Sequence, residues 1–249
     1  PNVVYHTFTG DGPGFIERSA DGGATWTDIS VGINASGTEP SDFYVPYKMD
    51  PSNPARLILG TDHLYETTDM GATWKVIATP GTAGFNIQSG GTIDAIGLSK
   101  SAPNTIYVGD STGNLFVTTT DGASWTQINI PSVTDHINDL VVDPSNSSSV
   151  YAVRDRFGPG KVFHSANGGA TWTDISGNLP DLPTYSLALN TSTGAIYVGN
   201  DNGVWGSSNG GASWSVFGTG LPNAEVRQLI SDPTLNILAA GTHGRSVWE

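Results

Sequence analysis

The sequence predicts an all-β fold, a β-propeller of four-stranded antiparallel blades, and three observations carry the prediction. A short phrase, Ser/Thr-x-Asp/Asn-x-Gly-x-Thr/Ser-Trp, occurs five times in 249 residues and closes at Trp26, Trp74, Trp125, Trp172 and Trp214, spacings of 48, 51, 47 and 42 residues. A period of about 40–50 residues is that of a four-stranded blade. Between the phrases lie short apolar runs punctuated by Gly, Pro and Asn, and charged residues are only 13% of the chain while glycines number 32. Short β-type runs with turn signals at regular intervals belong to all-β architectures.

Each phrase reads as a hairpin with an anchor. Asp21, Asp69, Asn167 and Asn209 offer a side-chain oxygen to backbone N–H groups just ahead of them, which builds a turn from one residue's own acceptor. The glycine two positions later supplies a positive φ, and the tryptophan brings a large apolar surface to the next strand. In the third copy Thr120 stands where the acid belongs and Asp121 follows it, which predicts a rearranged or weaker turn.

The remaining strands follow in order, labelled a to d within a unit. Strand a is expected at 43–49, 93–98, 137–142, 185–189 and 226–230, closing in turns such as Asp50-Pro-Ser-Asn-Pro54. Strand b is expected at 3–6, 56–59, 105–108, 150–153, 195–198 and 237–240, and strand c, just ahead of each phrase, at 14–17, 63–66, 114–117, 161–164 and 204–206, with a last copy at 246–248. Strand d starts at or just before the tryptophan. Gly10-Asp-Gly-Pro-Gly14 lacks the Lys and helix of a phosphate loop and reads as a hairpin turn. Six b–c hairpins mean six blades, seven if strands are missing from this chain. Both ends supply b and c, so simple seam closure fails: either two blades have three strands, or the chain is a portion of a larger or tandem propeller. Open edges would then pair with another chain or with missing segments. The expectation is a single domain over 1–249.

The phrase resembles the Asp-box, or BNR repeat, of sialidases, two-propeller xyloglucanases, sortilin-like receptors and other secreted propellers. That resemblance covers nearly the whole chain. It implies that the box lies between strands c and d, away from the ligand face, so that Asp21, Trp26, Asp69, Trp74, Trp125, Asn167, Trp172, Asn209 and Trp214 are scaffold. It also implies a secreted or extracellular setting. Families with this box include hydrolases, receptors and assembly factors, so it specifies fold and leaves function open.

A net charge of −13 disfavours nucleic acid and anionic lipid, no run is long enough to span a bilayer, and the absence of cysteine removes disulfides and thiol chemistry. The chain opens with Pro1 and carries no signal sequence, so it reads as a mature or excised portion.

In such a topology the d–a and b–c loops open on one face, where ligands sit. The ligand-binding candidates near the starts of strand a are Tyr44, Tyr47, Asp94, His136, Asp139, Tyr185, Glu225 and Arg227. The b–c loops add Asp62, His63, Asp110, Arg154, Asp155, Arg156, Asp201, His243 and Arg245. Asp62, Asp110, Asp155 and Asp201 look like a regular series. A pair of them flanking a glycosidic bond would be catalytic, but regularity favours a turn acceptor that each blade needs. A sialidase would need three arginines and a Tyr–Glu pair, drawn from Arg227, Arg245, Arg154 or Arg156, Tyr185 and Glu225; its Phe/Tyr-Arg-Ile-Pro signature is absent, and Arg18 and Arg56 fall on the wrong side. His63 and His243 with Asp62 are metal-ligand types, but isolated loop histidines are more often solvated or hydrogen-bonded to backbone; no metal and no cofactor are expected.

Two functions remain. The first is a non-catalytic module that presents its loop face to a glycan or an extracellular protein, with Phe43, Tyr44, Tyr47, Phe85, Phe157 and Tyr185 as stacking or anchoring aromatics. The alternative is a glycoside hydrolase, xyloglucanase-like or sialidase-like, or one propeller of such an enzyme.

Overall fold

The structure, a computed structural model, describes residues 2–8, 15–34, 37–221 and 223–249, which leaves the expected hairpin turn at Gly10–Gly14 outside the described residues. Among the described residues there is no helix, and the chain forms six antiparallel sheets, the blades of a β-propeller. The first sheet has three strands, β1 (Val4–Thr7), β2 (Ile16–Ser19) and β3 (Thr27–Asp28). The second is β4 (Tyr47–Met49), β5 (Leu57–Gly60), β6 (Leu64–Thr67) and β7 (Lys75–Ala78); the third is β8 (Ile93–Leu98), β9 (Ile106–Asp110), β10 (Leu115–Thr118) and β11 (Thr126–Ile128). The fourth comprises β12 (Asp139–Asp143), β13 (Asn146–Val153), β14 (Val162–Ser165) and β15 (Thr173–Asp174). The fifth comprises β16 (Thr184–Asn190), β17 (Ala195–Asn200), β18 (Gly203–Ser207) and β19 (Ser215–Phe217). The sixth has three strands again, β20 (Val226–Asp232), β21 (Ile237–Thr242) and β22 (Val247–Trp248). Among the described residues the first sheet has no strand a and the last no strand d, the first of the two arrangements that the uneven ends allow.

The chain divides into two compact units, Pro1–Gln127 and Ile128–Glu249. Within each unit the core lies between the faces of neighbouring blades. In the first, Phe15, Ile16, Ile29, Leu59 and Tyr65 join sheets one and two, and Ile58, Leu64, Phe85, Ile96, Val108, Phe116 and Trp125 join sheets two and three. In the second, Val153, Val162, Leu187, Val198 and Trp214 join sheets four and five, and Val204, Val226 and Leu229 join five and six. The innermost strands pack on one another, β4 on β8 and β16 on both β12 and β20.

The repeated turn has one hydrogen-bond plan. Asp69 Oδ1 accepts from the Thr73 N–H at 2.9 Å and Oδ2 from the Thr73 hydroxyl at 2.7 Å, while the Thr67 hydroxyl accepts from the Gly71 N–H at 2.9 Å. Asp21, Asn167 and Asn209 repeat the arrangement. The third copy is a correction to the expected rearrangement: the Thr120 hydroxyl accepts from the Ser124 N–H at 3.0 Å, so a shorter side chain preserves the same turn. Two consecutive residues are left-handed in every copy, among them Met70 (φ 61) with Gly71 (φ 88) and Asp121 (φ 56) with Gly122 (φ 85). The second of the pair must be glycine for a further reason. A Cβ on Gly71 would stand 2.4 Å from Ile29 Cδ1, and one on Gly122 would stand 2.3 Å from the Ile77 carbonyl oxygen. The turn is therefore pressed against the outer strand of the preceding blade, and the tryptophan completes the clamp: Trp74 Nε1 donates to the Ile29 carbonyl at 2.7 Å and Trp214 Nε1 to the Ile175 carbonyl at 2.9 Å.

Two further expectations are corrected. Strand d begins just after the tryptophan, not at it; at Trp125 and Trp214 the backbone N–H is given to the Ala83 carbonyl and to Asn178 Oδ1, outside the sheet. Strand a of the second sheet is only Tyr47–Met49; Phe43 and Tyr44 lie ahead of it, exposed. Trp26 also departs from its siblings, 36% exposed and stacked on His6 at 3.8 Å between centroids, where Trp125 and Trp214 are buried.

Candidate functional site

The b–c turns and the starts of the innermost strands hold the polar side chains that the sequence singled out. A β-bulge recurs where strand a begins: the register shifts between Ile93 and Ala95, between Thr184 and Ser186, and between Val226 and Gln228. The extra residues are Asp94, Tyr185 and Arg227, three of the eight candidates. Bulges re-aim one side chain without disturbing the rest of a strand, and they concentrate beside functional sites.

In the second unit four blade segments converge. The Tyr185 hydroxyl donates to Asp201 Oδ1 at 2.7 Å, and the Arg227 guanidinium lies 4.2 Å from the centre of the Tyr185 ring. Arg227 Nη2 pairs with Glu225 Oε1, whose other oxygen lies 3.2 Å from His243 Nδ1. Burial, then the hydrogen bond to Asp201, push the Tyr185 phenol upward, so it stays a neutral donor. Asp139 holds the neighbouring strand: its Oδ2 accepts from the Leu187 N–H at 3.2 Å, and Asn138 Nδ2 donates to the Tyr185 carbonyl at 2.7 Å. His136 is half-buried in the loop ahead of β12. Arg154 pairs with Asp135 at 2.9 Å and Arg156 with the same carboxylate at 3.3 Å.

In the first unit, Phe43 and Tyr44 form an edge-to-face pair with centroids 4.9 Å apart, 62% and 67% exposed. Tyr47 instead is tied down, its hydroxyl donating to the Tyr5 carbonyl at 3.1 Å, and Phe85 is wholly buried beside Phe116 and Trp125. Phe85 is thus core, not a stacking platform. Asp94 Oδ1 accepts from the Thr92 hydroxyl at 3.0 Å. The b–c turn of the second sheet brings Asp62 and His63 to Glu39, a residue that the sequence did not single out. His63 Nδ1 lies 2.6 Å from Asp62 Oδ1 and 3.6 Å from Glu39 Oε2. Glu39 stands in a long aperiodic loop, 24 residues from His63 in sequence, and no local pattern announces it.

The regular Asp series proves to be two positions. Gly60, Gly109 and Gly199 occupy equivalent places in the ladders, so Thr61, Asp110 and Asn200 are equivalent, and Asp62 and Asp201 come one residue later. Asp110 is fully buried and accepts from the N–H groups of Thr112 and Asn114, both at 2.9 Å. It is a turn acceptor.

A sialidase-like Tyr–Glu pair is not formed, since Tyr185 bonds Asp201 and Glu225 is shared by Arg227 and His243. Arg56 is buried among Asp50, Glu66 and Asp121, at 2.7, 2.6 and 2.5 Å, and belongs to the scaffold. The carboxylates with displaced titration all move downward. Asp21 and Asp69 fall to about 2 through hydrogen bonds from Thr25 and Thr73, and Asp181 falls through its bond from Lys161. In Asp50 and Glu66 burial pushes upward but is outweighed by hydrogen bonds from Ser52 and Arg56, and from Lys75 and Arg56.

Comparison with known proteins agrees with this architecture. The chain is 27% identical over 215 residues to a xyloglucanase of Hypocrea jecorina, covering 82% of this chain and 25% of that protein. It therefore spans about a quarter of that relative's length. Among solved structures, a GH74 enzyme of Niastella koreensis superposes with a TM-score of 0.69 at 18% identity, over 96% of this chain and 39% of that one. YCF48, in a structure bound to a D1 peptide, superposes with a TM-score of 0.63 at 15% identity, over 93% of this chain and 70% of that one. The sequence model of the DUF6242 beta propeller domain matches residues 55–219, more than half of the chain, and the chain belongs to that family.

Proposed function

We propose that this chain is a non-catalytic, extracellular propeller module that binds a neutral β-linked polysaccharide of the xyloglucan class, with Phe43 and Tyr44 as its stacking platform. The repeated turn is then the Asp-box of that propeller class. The observation that supports the reading is the exposed Phe43–Tyr44 pair, two large rings with most of their surface free in a loop that leads to an innermost strand. Sugar rings present flat C–H faces that aromatic rings cover with little ordering cost. The low charged fraction of 13% suits a neutral ligand, and the curated relative is a xyloglucanase.

Affinity electrophoresis and calorimetry with xyloglucan test it. Retention by the polysaccharide is expected, weakened about tenfold in Phe43→Ala/Tyr44→Ala, the loss of roughly 1.4 kcal/mol of stacking. No retention, or retention indifferent to both substitutions, refutes the assignment. Release of reducing ends by the chain alone would instead support the hydrolase alternative.

A further inference from the structure

We propose that Glu39, Asp62 and His63 form a binding site for a divalent first-row transition metal, with zinc as the fitting ion. One oxygen from each carboxylate and a ring nitrogen of His63 all lie within 4.8 Å of one another. The donors come from two separate segments, the loop ahead of β4 and the β5–β6 turn, and tertiary structure alone brings them together. Two ligand atoms on a tetrahedral zinc with bonds of about 2.0–2.1 Å stand about 3.3 Å apart. The distances from His63 Nδ1, 2.6 Å to Asp62 Oδ1 and 3.6 Å to Glu39 Oε2, straddle that spacing. Side-chain adjustment that brings all three separations to that spacing completes three ligands and leaves a fourth place open.

Two further observations point to a cation. Glu39 is held from behind: the Thr61 hydroxyl donates to Oε2 at 2.9 Å, the Tyr65 hydroxyl to Oε1 at 2.7 Å, and the Asn34 N–H fixes that hydroxyl at 3.0 Å. Tyr65 is itself buried, so the carboxylate is oriented by a rigid group, as outer hydrogen bonds orient metal ligands. Charge is the second. The other clustered carboxylates of this unit, Asp50, Glu66 and Asp121, share Arg56, whereas among the described residues Glu39 and Asp62 form ion pairs with His63 alone. Two carboxylates face one imidazole, so the cluster is net negative whichever form the ring takes. The mixed imidazole and carboxylate donor set suits zinc better than calcium, which prefers oxygen throughout. A bound ion would join the β5–β6 turn to the loop that carries Phe43 and Tyr44, and the site stands whether or not that pair binds sugar.

Calorimetric titration of the EDTA-stripped full chain with Zn²⁺, with Ca²⁺ in parallel, is the test. One Zn²⁺ per chain is expected, abolished by His63→Ala, weakened about tenfold or more by Tyr65→Phe, and unchanged by His243→Ala. Co²⁺ substitution should give a tetrahedral visible spectrum that is lost in His63→Ala and altered in Tyr65→Phe, a change that simple destabilisation does not produce. Zn²⁺ binding that survives His63→Ala, that depends on His243, or that is weaker than Ca²⁺ binding at the same residues overturns the site. Should His63→Ala fail to fold, Glu39→Gln keeps an acceptor for Thr61 and Tyr65, and unaltered Zn²⁺ binding in that variant also overturns it.

Discussion

Trp214 is the sharpest test of the blade clamp. Its indole is 4% exposed, packs with Val198, Leu187 and Val162, and donates Nε1–H to the Ile175 carbonyl at 2.9 Å, while its backbone N–H donates to Asn178 Oδ1 at 2.6 Å. Trp214→Ala empties an interblade volume that the rigid strands cannot refill, a loss of about 3–5 kcal/mol for a buried aromatic. It also leaves the Ile175 carbonyl without its donor, about 1 kcal/mol more. Trp214→Phe keeps most of the apolar contact and removes the donor, so it should cost about 1–2 kcal/mol. Trp26 occupies the same place in the first phrase but is 36% exposed, and Trp26→Ala should cost about 1 kcal/mol or less. Urea denaturation followed by far-ultraviolet circular dichroism gives the three differences. If Trp214→Ala costs no more than Trp26→Ala, the indole is not a clamp and the reasoning fails.

Gly122→Ala puts a Cβ 2.3 Å from the Ile77 carbonyl oxygen and should cost at least about 3 kcal/mol, whereas Gly81→Ala, also left-handed but in open space, should cost only about 1–2 kcal/mol; equal melting shifts would refute the close approach. Hydrogen bonds in the turn lower Asp21 and Asp69 from the ordinary carboxylate value of 3.8 to about 2, so the stability they add is present above pH 3.8 and is lost as pH falls towards 2. Asp69→Asn, the residue that Asn167 and Asn209 already use, should leave the melting temperature at pH 7 nearly unchanged and flatten its fall between pH 4 and 2. Arg56→Met strands three carboxylates that are paired at 2.7, 2.6 and 2.5 Å, and should destabilise the chain by about 3–5 kcal/mol in chemical denaturation. Asp110→Ala, which removes the buried acceptor of the Thr112 and Asn114 N–H groups, should lower stability while leaving xyloglucan retention intact.

By itself the sequence determined what is local and periodic. A side-chain acceptor two residues ahead of a glycine, with a tryptophan to close, acts over eight residues, so the turn and its hydrogen bonds follow from Ser19–Trp26 and its four echoes, and the six b–c hairpins give the number of blades. The Asx turns that end strand a, at Asp50, Asp143, Asn190 and Asp232, were equally visible in their Pro and Asn composition. Even the uneven ends, one sheet without strand a and one without strand d, could be counted. Tertiary structure decided what depends on which residues stand opposite each other. The bulges that re-aim Asp94, Tyr185 and Arg227 are one-residue shifts of register, and a sequence pattern carries no mark of its partner strand. The same blindness made Asp110 appear equivalent to Asp62, concealed Phe85 in the core, and hid Glu39, whose approach to His63 is fixed by a loop fold without periodicity. Turns are written in neighbouring residues, whereas a site assembled from several blades exists only once their strands have been set in register.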